Sequence, residues 1–314
     1  LLERSVGNLF VAAVFPGLIL SGLYMLYIVV FASLKPEVAP PLASDIGPQT
    51  RGGVLLMVVR SFVPPVFLIF LVLGSILAGW ATPTEAAGVG AMGALFLALI
   101  NLVVLPGLGV REMHFEGEAQ VDFDDHAVGG GIWAEVKHFW SIVSDVVQRT
   151  ALTNAMLFGI FIGATLFAYV FRALGGDDLV IELVEKLGLE SWGLLFLILG
   201  IVFFLGFFFD WIEITLIVLP VFSPVIELLD FGDHVDKFEV VYWFAILMAV
   251  NLQTSFLTPP FGFTLIYLRG AAPPEITTGQ IYGGVAPFIL LQIVGIGLIW
   301  LFPTISTWLP KVLF

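Results

Sequence analysis

The chain has 314 residues, of which 59% are hydrophobic and 12% are charged, and its formal net charge is −13. A soluble domain has about one charged residue in four, so this composition predicts a polytopic membrane protein, and apolar runs of about 20 residues make its predicted fold class all-α. The acidic balance argues against nucleic acid as a partner, and the absence of cysteine excludes disulfides and thiolate chemistry.

Apolar runs long enough for a membrane-spanning helix, which takes about 20 residues, occur along the whole chain. Residues 33–52, rich in proline and charge, are predicted to form a loop outside the membrane. The sequence starts with Leu1-Leu2-Glu3, which is neither an initiator methionine nor a basic signal-peptide start. We therefore expect that it begins within a longer protein. The apolar runs are residues 8–32, 53–79, 82–105, 151–174, 192–209, 240–258 and 284–303.

A capping motif follows the second apolar run. Residues 79–90 read Gly-Trp-Ala-Thr-Pro-Thr-Glu-Ala-Ala-Gly-Val-Gly. Thr82 is placed to cap a helix, Pro83 to occupy its first position, and Glu85 to close a capping box. The pattern predicts a helix start, with a functional role as the alternative. The residues assigned to this structural motif are Gly79, Thr82, Pro83, Thr84 and Glu85.

Acidic and amphipathic segments occupy the middle of the chain. Residues 106–131 are strongly acidic and are predicted to form a solvated loop, with a docking surface as the alternative. In residues 132–149 the apolar side chains keep a helical period beside charged ones, which predicts an amphipathic helix at the membrane interface. Residues 177–190 predict a second helix of this kind.

Residues 200–230 contain two carboxylates, Asp210 and Glu213, between apolar runs. A charge at the bilayer centre costs at least about 2.5–3.5 kcal/mol on insertion scales, so a plain spanning helix is an unfavourable interpretation. A re-entrant hairpin accommodates both carboxylates, since Gly206 allows a tight turn and the returning helix begins near Asp210 and runs through Thr215. The alternative is that the two carboxylates cap a helix at the water interface.

A long apolar run is interrupted at residues 251–262, which read Asn-Leu-Gln-Thr-Ser-Phe-Leu-Thr-Pro-Pro-Phe-Gly. Pro259 and Pro260 have no N–H, so a regular helix cannot continue and backbone carbonyls lose their donors. Irregular backbone at membrane depth is tolerated only inside protein or beside a wet cavity. A broken helix with oxygen ligands is typical of cation sites in secondary transporters, and a plain helix kink is the alternative.

Taken together, these stretches resemble the DctM-like large membrane subunit of tripartite ATP-independent periplasmic (TRAP) transporters. Residues 79–90 resemble the family's Gly-x-x-Thr-Pro-Thr-Glu-Ala-Ala signature, and residues 206–224 resemble its second re-entrant hairpin. Residues 257–262 resemble its Thr-Pro-Pro-x-Gly break, and residues 7–17 fit the segment after its first broken helix. The hairpin and the break are most similar to the subgroup labelled mannitol/chloroaromatic.

The resemblance implies an inverted-repeat, elevator-type carrier in the inner membrane of a bacterium. It implies that a periplasmic binding protein delivers an organic acid anion, such as a 2-oxo acid, lactate or a dicarboxylate, that a small membrane subunit is a partner in the lipid bilayer, and that Na⁺ drives uptake. It also implies that the first hairpin and the first broken helix precede Leu1. The resulting division is 1–32 as the tail of a first repeat, 33–105 as connecting helices, 106–150 as the acidic loop and interfacial helix, and 151–314 as the second repeat, with its hairpin at about 195–229 and its broken helix at about 240–270.

The hypothesis for the site joins the two interrupted segments. Na⁺ is predicted to bind near Ser255, Phe256 and Thr258, at carbonyls that the prolines leave without donors. Asp210 either joins this cation site or fixes the hairpin tip, and helix N-termini after each break favour the substrate carboxylate. No catalytic residue, and no cofactor besides the coupling ion, is expected. The residues assigned to ion or substrate binding are Gly206, Asp210, Glu213, Thr215, Asn251, Thr254, Ser255, Thr258, Pro259, Pro260 and Gly262.

Two other classes of protein are weighed against the carrier. An intramembrane enzyme would need acid–base residues, but the histidines fall in polar or interfacial segments and none has the spacing of a metal ligand. A membrane scaffold that carries nothing itself would need no exposed carbonyls inside the membrane. The two broken segments therefore favour the carrier.

Overall fold

The computed structural model describes residues 6–37, 50–104, 131–226, 229–259, 262–273 and 276–313. Within these ranges the regular structure is helical throughout. Residues 106–130 of the predicted acidic loop and 38–49 of the predicted loop 33–52 lie outside them. A π-helical turn, Ile100–Val104, extends α3, and a 3₁₀ turn, Gly232–His234, precedes α8. The α-helices are α1 (Val6–Leu34), α2 (Arg51–Leu77), α3 (Pro83–Leu99), α4 (Gly131–Ala173), α5 (Gly176–Leu187), α6 (Ser191–Leu205), α7 (Trp211–Ile226), α8 (Val240–Ser255), α9 (Phe263–Ala271), α10 (Thr278–Leu301) and α11 (Thr304–Leu313).

Several helices meet the requirements for crossing a membrane. In the described part of the chain these are four, Val6–Leu34, Pro83–Val103, Val136–Ala173 and Thr278–Leu301, judged by length and composition. A fifth span results if α5 and α6, which are bent by 116° relative to each other, are counted as one. The prediction of an all-α polytopic membrane protein is thus confirmed.

Two of the predicted apolar runs form helices that are too short to span alone. The runs at 192–209 and 240–258 give α6 and α8, with 15 and 16 residues. At a rise of 1.5 Å per residue such helices are about 23 Å long, whereas the hydrocarbon core is about 30 Å thick. Neither helix alone is therefore long enough to cross the hydrocarbon core.

Helix α4 differs from the prediction of two separate helices. The sequence predicts an interfacial helix at 132–149 and a span at 151–174, whereas the structure has one helix of 43 residues. No proline or glycine separates the two segments, so the backbone hydrogen bonds continue from one into the other. The switch from charged to apolar side chains therefore occurs within one continuous helix and does not mark a helix end. The second predicted amphipathic segment, 177–190, is helical as α5.

The predicted helix start at Thr82 is confirmed. The Glu85 Oε2 atom accepts a hydrogen bond from the Thr82 N–H at 2.8 Å, and the Thr82 Oγ1 atom accepts one from the Glu85 N–H at 3.4 Å. Pro83 lies in the first turn of α3, Gly79 has a φ of 70° in the preceding turn, and Thr84 is exposed. This geometry is the capping box that the structural interpretation of the motif predicts.

The chain divides into two compact units, one formed by residues 1–36 and 157–314 and the other by residues 37–156. In the smaller unit α3 packs closely on α2. A Cβ atom added at Gly90 of α3 would lie only 2.8 Å from the Val72 Cγ2 atom of α2, so glycine leaves the space that this contact requires. The larger unit contains α1 and the helices from α5 to α11. It therefore holds both segments that the sequence indicates for the site.

Helix α8 forms the centre of the larger unit, where it packs against α1, α6, α7, α10 and α11. The side chains of Trp243 and Phe244 are fully buried, and the Trp243 Nε1–H donates to the Ile299 carbonyl of α10 at 2.8 Å. Beside the start of α8, Lys311 of α11 pairs with Glu239 at 2.9 Å, and this hydrogen bond raises the pKa of the Lys311 ammonium. These contacts fix the start of α8 and so position its far end.

Candidate ion and substrate site

The first interruption is the hairpin turn, residues 206–210, between α6 and α7. The N–H groups of Phe208 and Phe209 both donate to the Leu205 carbonyl at 2.9 Å, so the turn closes the end of α6. A turn of this length joins two short apolar helices directly. The interruption lies where the sequence predicts the hairpin turn, and re-entry into the membrane stays a prediction.

The second interruption is the helix break, residues 256–262, between α8 and α9. Pro259 has no N–H with which to continue the helix, and Pro260 lies outside the described residues. A Cβ atom at Gly262 would lie 2.9 Å from the Phe256 carbonyl oxygen and 3.0 Å from that of Thr258. The backbone therefore folds back closely on itself, and glycine leaves the space that this requires.

The hairpin turn and the end of α8 lie in contact. A Cβ atom at Gly206 would lie only 2.8 Å from the Ser255 Cβ atom. One turn earlier along α8, the Asn251 Nδ2–H donates to the Leu199 carbonyl of α6 at 2.8 Å. Gly206, Asn251 and Ser255 are all buried. The structure therefore brings these three residues of the predicted set together.

The buried polar side chains at the end of α8 form one stripe, here called the polar stripe, of Asn251, Thr254, Ser255 and Thr258. Their spacing of three and four residues places them on one helix face. The hydroxyls of Thr254, Ser255 and Thr258 donate to the carbonyls of Asn251, Leu252 and Thr254 at 2.6, 2.5 and 2.5 Å. A hydroxyl that donates its hydrogen keeps its lone pairs, so the stripe can still present oxygen acceptors to a cation.

The carbonyls at the helix break receive donors from the residues that follow. The Phe256 carbonyl accepts from the Thr264 N–H at 3.2 Å, and the Ser255 carbonyl accepts from the Thr258 N–H at 3.4 Å. These are the two carbonyls that the sequence predicts to lose helical donors to the prolines. Because a carbonyl oxygen has two lone pairs, each can accept a further contact.

Asp210 ends the hairpin turn and contacts the helix that follows. Its Oδ1 atom accepts a hydrogen bond from the Trp211 N–H at 2.7 Å, and a carboxylate suits the positive end of α7. Glu213 lies in the first turn of α7, and the Thr215 hydroxyl donates to the Trp211 carbonyl at 2.6 Å. In the described contacts neither carboxylate reaches the polar stripe. Of the two roles predicted for Asp210, the geometry favours fixing the hairpin tip.

We expect Asp210→Asn to keep nearly the stability of the parent protein and Asp210→Ala to lose about 0.5–2 kcal/mol of unfolding free energy. The asparagine side chain can also accept the Trp211 N–H, whereas alanine leaves that group without its partner. Thermal unfolding of the purified proteins in detergent measures the difference. Glu213→Gln controls for the loss of a charge at the same helix end. Equal losses in the Asn and Ala variants would show that α7 needs the charge and not the cap.

A groove lies between α7 and α8, and we name it the α7–α8 groove. It has a volume of about 430 Å³, and its α8 residues face away from the polar stripe by their helical spacing. Gln253 and Phe256 line it, although neither is among the residues that the sequence assigns to substrate binding. The helical period could have indicated Gln253, because residues between those of the stripe must face another side of α8.

The atoms that could act as metal ligands at this site are neutral oxygens. The polar stripe supplies hydroxyls and an amide, and the helix break supplies carbonyls. Among the residues that the structure describes, no group of three or more His, Asp and Glu side chains is arranged to hold a metal ion. Unwound backbone carbonyls beside helix ends are ligands of Na⁺ in secondary transporters, so the donor set fits that ion.

Comparison with known proteins identifies the family. The sequence profile of the DctM component of the tripartite ATP-independent periplasmic transporter matches residues 1–305. The chain is 27% identical over 314 residues to the C4-dicarboxylate TRAP transporter large permease protein DctM of Pseudomonas aeruginosa, with 98% of this chain and 61% of that protein covered.

Other relatives carry the names of different substrates. The chain is 25% identical to the ectoine TRAP transporter large permease protein TeaC of Halomonas elongata, with 99% of this chain and 61% of that protein covered. It is 24% identical to the sialic acid TRAP transporter large permease protein SiaM of Vibrio cholerae, with 98% and 61% covered. The chain thus spans 61% of the length of these curated relatives. Since the family profile matches nearly all of it, the chain belongs to the DctM family, the large permease component of TRAP transporters.

Proposed function

We propose that this protein acts as a Na⁺-coupled permease that takes up an organic acid anion across the bacterial inner membrane. A periplasmic binding protein delivers the anion and a small membrane subunit packs beside the permease, in line with the tripartite description of the family. The family assignment supports transport over the enzyme alternative. The relatives are named for dicarboxylates, ectoine and sialic acid, so their names leave the substrate open.

The observation that carries the proposal is the contact between the hairpin turn and the end of α8. Gly206 and Ser255 approach within van der Waals distance beside a buried stripe of oxygen donors. An ion held by this stripe would add positive charge next to both interruptions. That charge would lower the cost of carrying an anion through the membrane, because an isolated charge in an apolar medium is strongly unfavourable. Na⁺ and the anion would then move together.

In the proposed mechanism the polar stripe, the helix break, Gly206 and Asp210 each have a role. The oxygens of Thr254, Ser255 and Thr258, with carbonyls of the helix break, hold Na⁺ in place of its water shell. Gly206 lets the hairpin come close enough to cover the ion, and Asp210 fixes the start of the returning helix. Because the hairpin turn covers the ion only when it packs against the end of α8, which is here called the seated hairpin, ion binding stabilises this arrangement.

The proposal is tested in proteoliposomes that contain the complete permease and its small subunit, with the binding protein and a radiolabelled anion outside. We expect the vesicles to take up the anion when a Na⁺ gradient is imposed. Uptake should fall to background when K⁺ replaces Na⁺. Vesicles without the permease are the control. Equal uptake in Na⁺ and K⁺ would contradict coupling to Na⁺. If the binding protein binds the anion but the vesicles do not accumulate it, the result favours the scaffold alternative.

A further inference from the structure

Helices α1, α8 and α10 pack against one another in the larger unit. The start of α8 lies beside the end of α10, since the Trp243 Nε1–H donates to the Ile299 carbonyl. Leu257, just beyond the end of α8, packs on the cluster that contains Val285 near the start of α10. The two helices therefore run antiparallel, and residues of α10 can be matched in depth with residues of α8.

A polar residue, Gln292, lies in the middle of α10 and is only 1% exposed. It precedes Ile299 by about two helical turns. Because α8 runs the other way, Gln292 is level with the residues about two turns after Trp243, where Asn251 begins the polar stripe. The buried amide thus lies at the depth of the candidate ion site, but on a different helix.

Close contacts between α1 and α10 enclose this amide. One turn after Gln292, a Cβ atom at Gly295 would lie 2.5 Å from the Leu20 Cδ2 atom. One turn before it, the Phe288 ring meets the Tyr24 ring edge-on, with 5.3 Å between the ring centroids. Apolar packing therefore closes the space on both sides of the amide along the helix.

Two polar atoms in this space have no hydrogen-bond partner among the residues that the structure describes. They are the Gln292 Oε1 atom and the Tyr24 hydroxyl oxygen. The hydroxyl lies beside the Gln292 side chain, yet no hydrogen bond of regular geometry joins the two groups. A polar group that is buried without a partner is strongly unfavourable, so both atoms call for a partner from outside the described chain.

The chemistry of the two atoms selects this partner. An amide oxygen only accepts hydrogen bonds, whereas a hydroxyl both donates and accepts. An apolar occupant such as a lipid chain would satisfy neither atom. A cation would exchange its water shell for two neutral oxygens, which leaves its charge poorly compensated in an apolar environment. A water molecule can donate to Gln292 Oε1 and accept the Tyr24 hydroxyl hydrogen at the same time.

We propose that α1 and α10 hold a buried water molecule between the Tyr24 hydroxyl and Gln292 Oε1. Buried waters of this kind bond to polar groups that lack other partners and are costly to remove. The water joins α1 to α10 at the depth of the polar stripe, in a region where the other contacts between the two helices are apolar. The inference does not depend on the proposed function, because neither residue is among the proposed ligands of Na⁺.

The direct test is an experimental structure of the purified permease at a resolution that shows ordered water. We expect density for one water within about 2.5–3.2 Å of both the Tyr24 hydroxyl oxygen and Gln292 Oε1. The density should be absent when Tyr24→Phe and Gln292→Met are combined. A direct hydrogen bond between the two side chains, or a gap without density, would overturn the proposal. So would density that disappears when K⁺ replaces Na⁺, because it would then belong to a bound ion.

Thermal unfolding in detergent gives a second readout, in which the sign of the change decides. If a water satisfies both atoms, Tyr24→Phe and Gln292→Met each remove one of its partners and should lower the melting temperature by roughly 2–4 °C. If the two atoms have no partner in the folded protein, each variant removes a buried unsatisfied group and raises the melting temperature. A rise in either variant therefore contradicts the water site.

Matched controls show whether the loss is specific to this position. The Tyr27 ring also meets Phe288 edge-on, at 5.4 Å between centroids, and its hydroxyl is not one of the buried unpartnered atoms of the described chain. Tyr27→Phe should therefore leave the melting temperature nearly unchanged. Gln148→Met, at an exposed position of α4, controls for the change from an amide to a thioether. Equal losses in Tyr24→Phe and Tyr27→Phe would count against the proposal.

Discussion

Replacing Gly206 by alanine is expected to lower the unfolding free energy by about 1–3 kcal/mol, the usual cost of overpacking, and to reduce Na⁺-driven uptake strongly. The new methyl group would lie 2.8 Å from Ser255 Cβ and 3.3 Å from the Phe203 carbonyl oxygen. Movement of α6 away from α8 is opposed by the Asn251 amide, which donates to the Leu199 carbonyl about two turns before Gly206. Thermal unfolding in detergent and uptake in proteoliposomes measure the two effects.

The matched control for this prediction is Gly200→Ala in the same helix. A Cβ atom at Gly200 would have nothing within 4 Å, and alanine in a helix interior is favoured over glycine by about 0.5–1 kcal/mol. This control should therefore be at least as stable as the parent protein. A Gly206→Ala variant that is equally stable would show that the hairpin turn and α8 do not approach as closely as described.

A second substitution tests the contact itself. Ser255→Gly removes the atom that the new methyl group meets, so Gly206→Ala combined with Ser255→Gly should regain most of the lost stability. Uptake need not return with it, because Ser255 is also a proposed ligand of Na⁺. Recovery of stability without recovery of Na⁺ dependence would separate the packing role of this position from its role in binding the ion.

The interruptions themselves were predictable because they depend on local chemistry. Proline lacks an N–H wherever it stands, and the Thr82 capping box needs only residues three apart. The helix break, the hairpin turn and the start of α3 accordingly fall where the sequence predicts them. The family signature adds the order of these elements along the chain but no distances between them.

The remaining features depend on distances that no local pattern encodes. The Phe256 carbonyl accepts a hydrogen bond from the Thr264 N–H on the other side of the helix break. This contact requires the chain to fold back towards α8 after Gly262. The α7–α8 groove exists because two helices far apart in sequence do not fill the space between them. The continuity of α4 was missed for another reason, since a change in polarity was interpreted as a helix end although no residue there stops a helix.

The proposed coupling between Na⁺ and the hairpin rests on where the proposed ligands lie. The polar stripe belongs to α8 and the helix break, while the surface that covers it belongs to α6 and the hairpin turn. An ion that binds only the seated arrangement shifts the population towards it by as much as the affinities for the two arrangements differ. Weakening a single ligand should therefore change both the affinity for Na⁺ and the fraction of seated hairpin.

Thr258→Val is expected to raise the Na⁺ concentration required for half-maximal stabilisation roughly tenfold, which corresponds to a loss of about 1.4 kcal/mol of binding free energy. Valine keeps the shape of the buried side chain, which is 6% exposed, and removes only the oxygen. Thr258→Ser keeps the oxygen and should retain most of the affinity. The measurement is the melting temperature at increasing Na⁺, with K⁺ keeping the ionic strength constant.

The control separates ligand loss from the loss of a hydrogen bond. Thr165 of α4 donates to the Phe161 carbonyl at 2.7 Å in the same manner as Thr258 does to the Thr254 carbonyl, and it is exposed. Thr165→Val should lower stability equally at every Na⁺ concentration, because it removes a hydrogen bond and no ligand. Loss of a ligand instead moves the concentration at which Na⁺ begins to stabilise, since that stabilisation grows with the ratio of ion concentration to dissociation constant. If Thr258→Val shifts stability by the same amount with and without Na⁺, the polar stripe only holds the end of α8 together and the ion binds elsewhere.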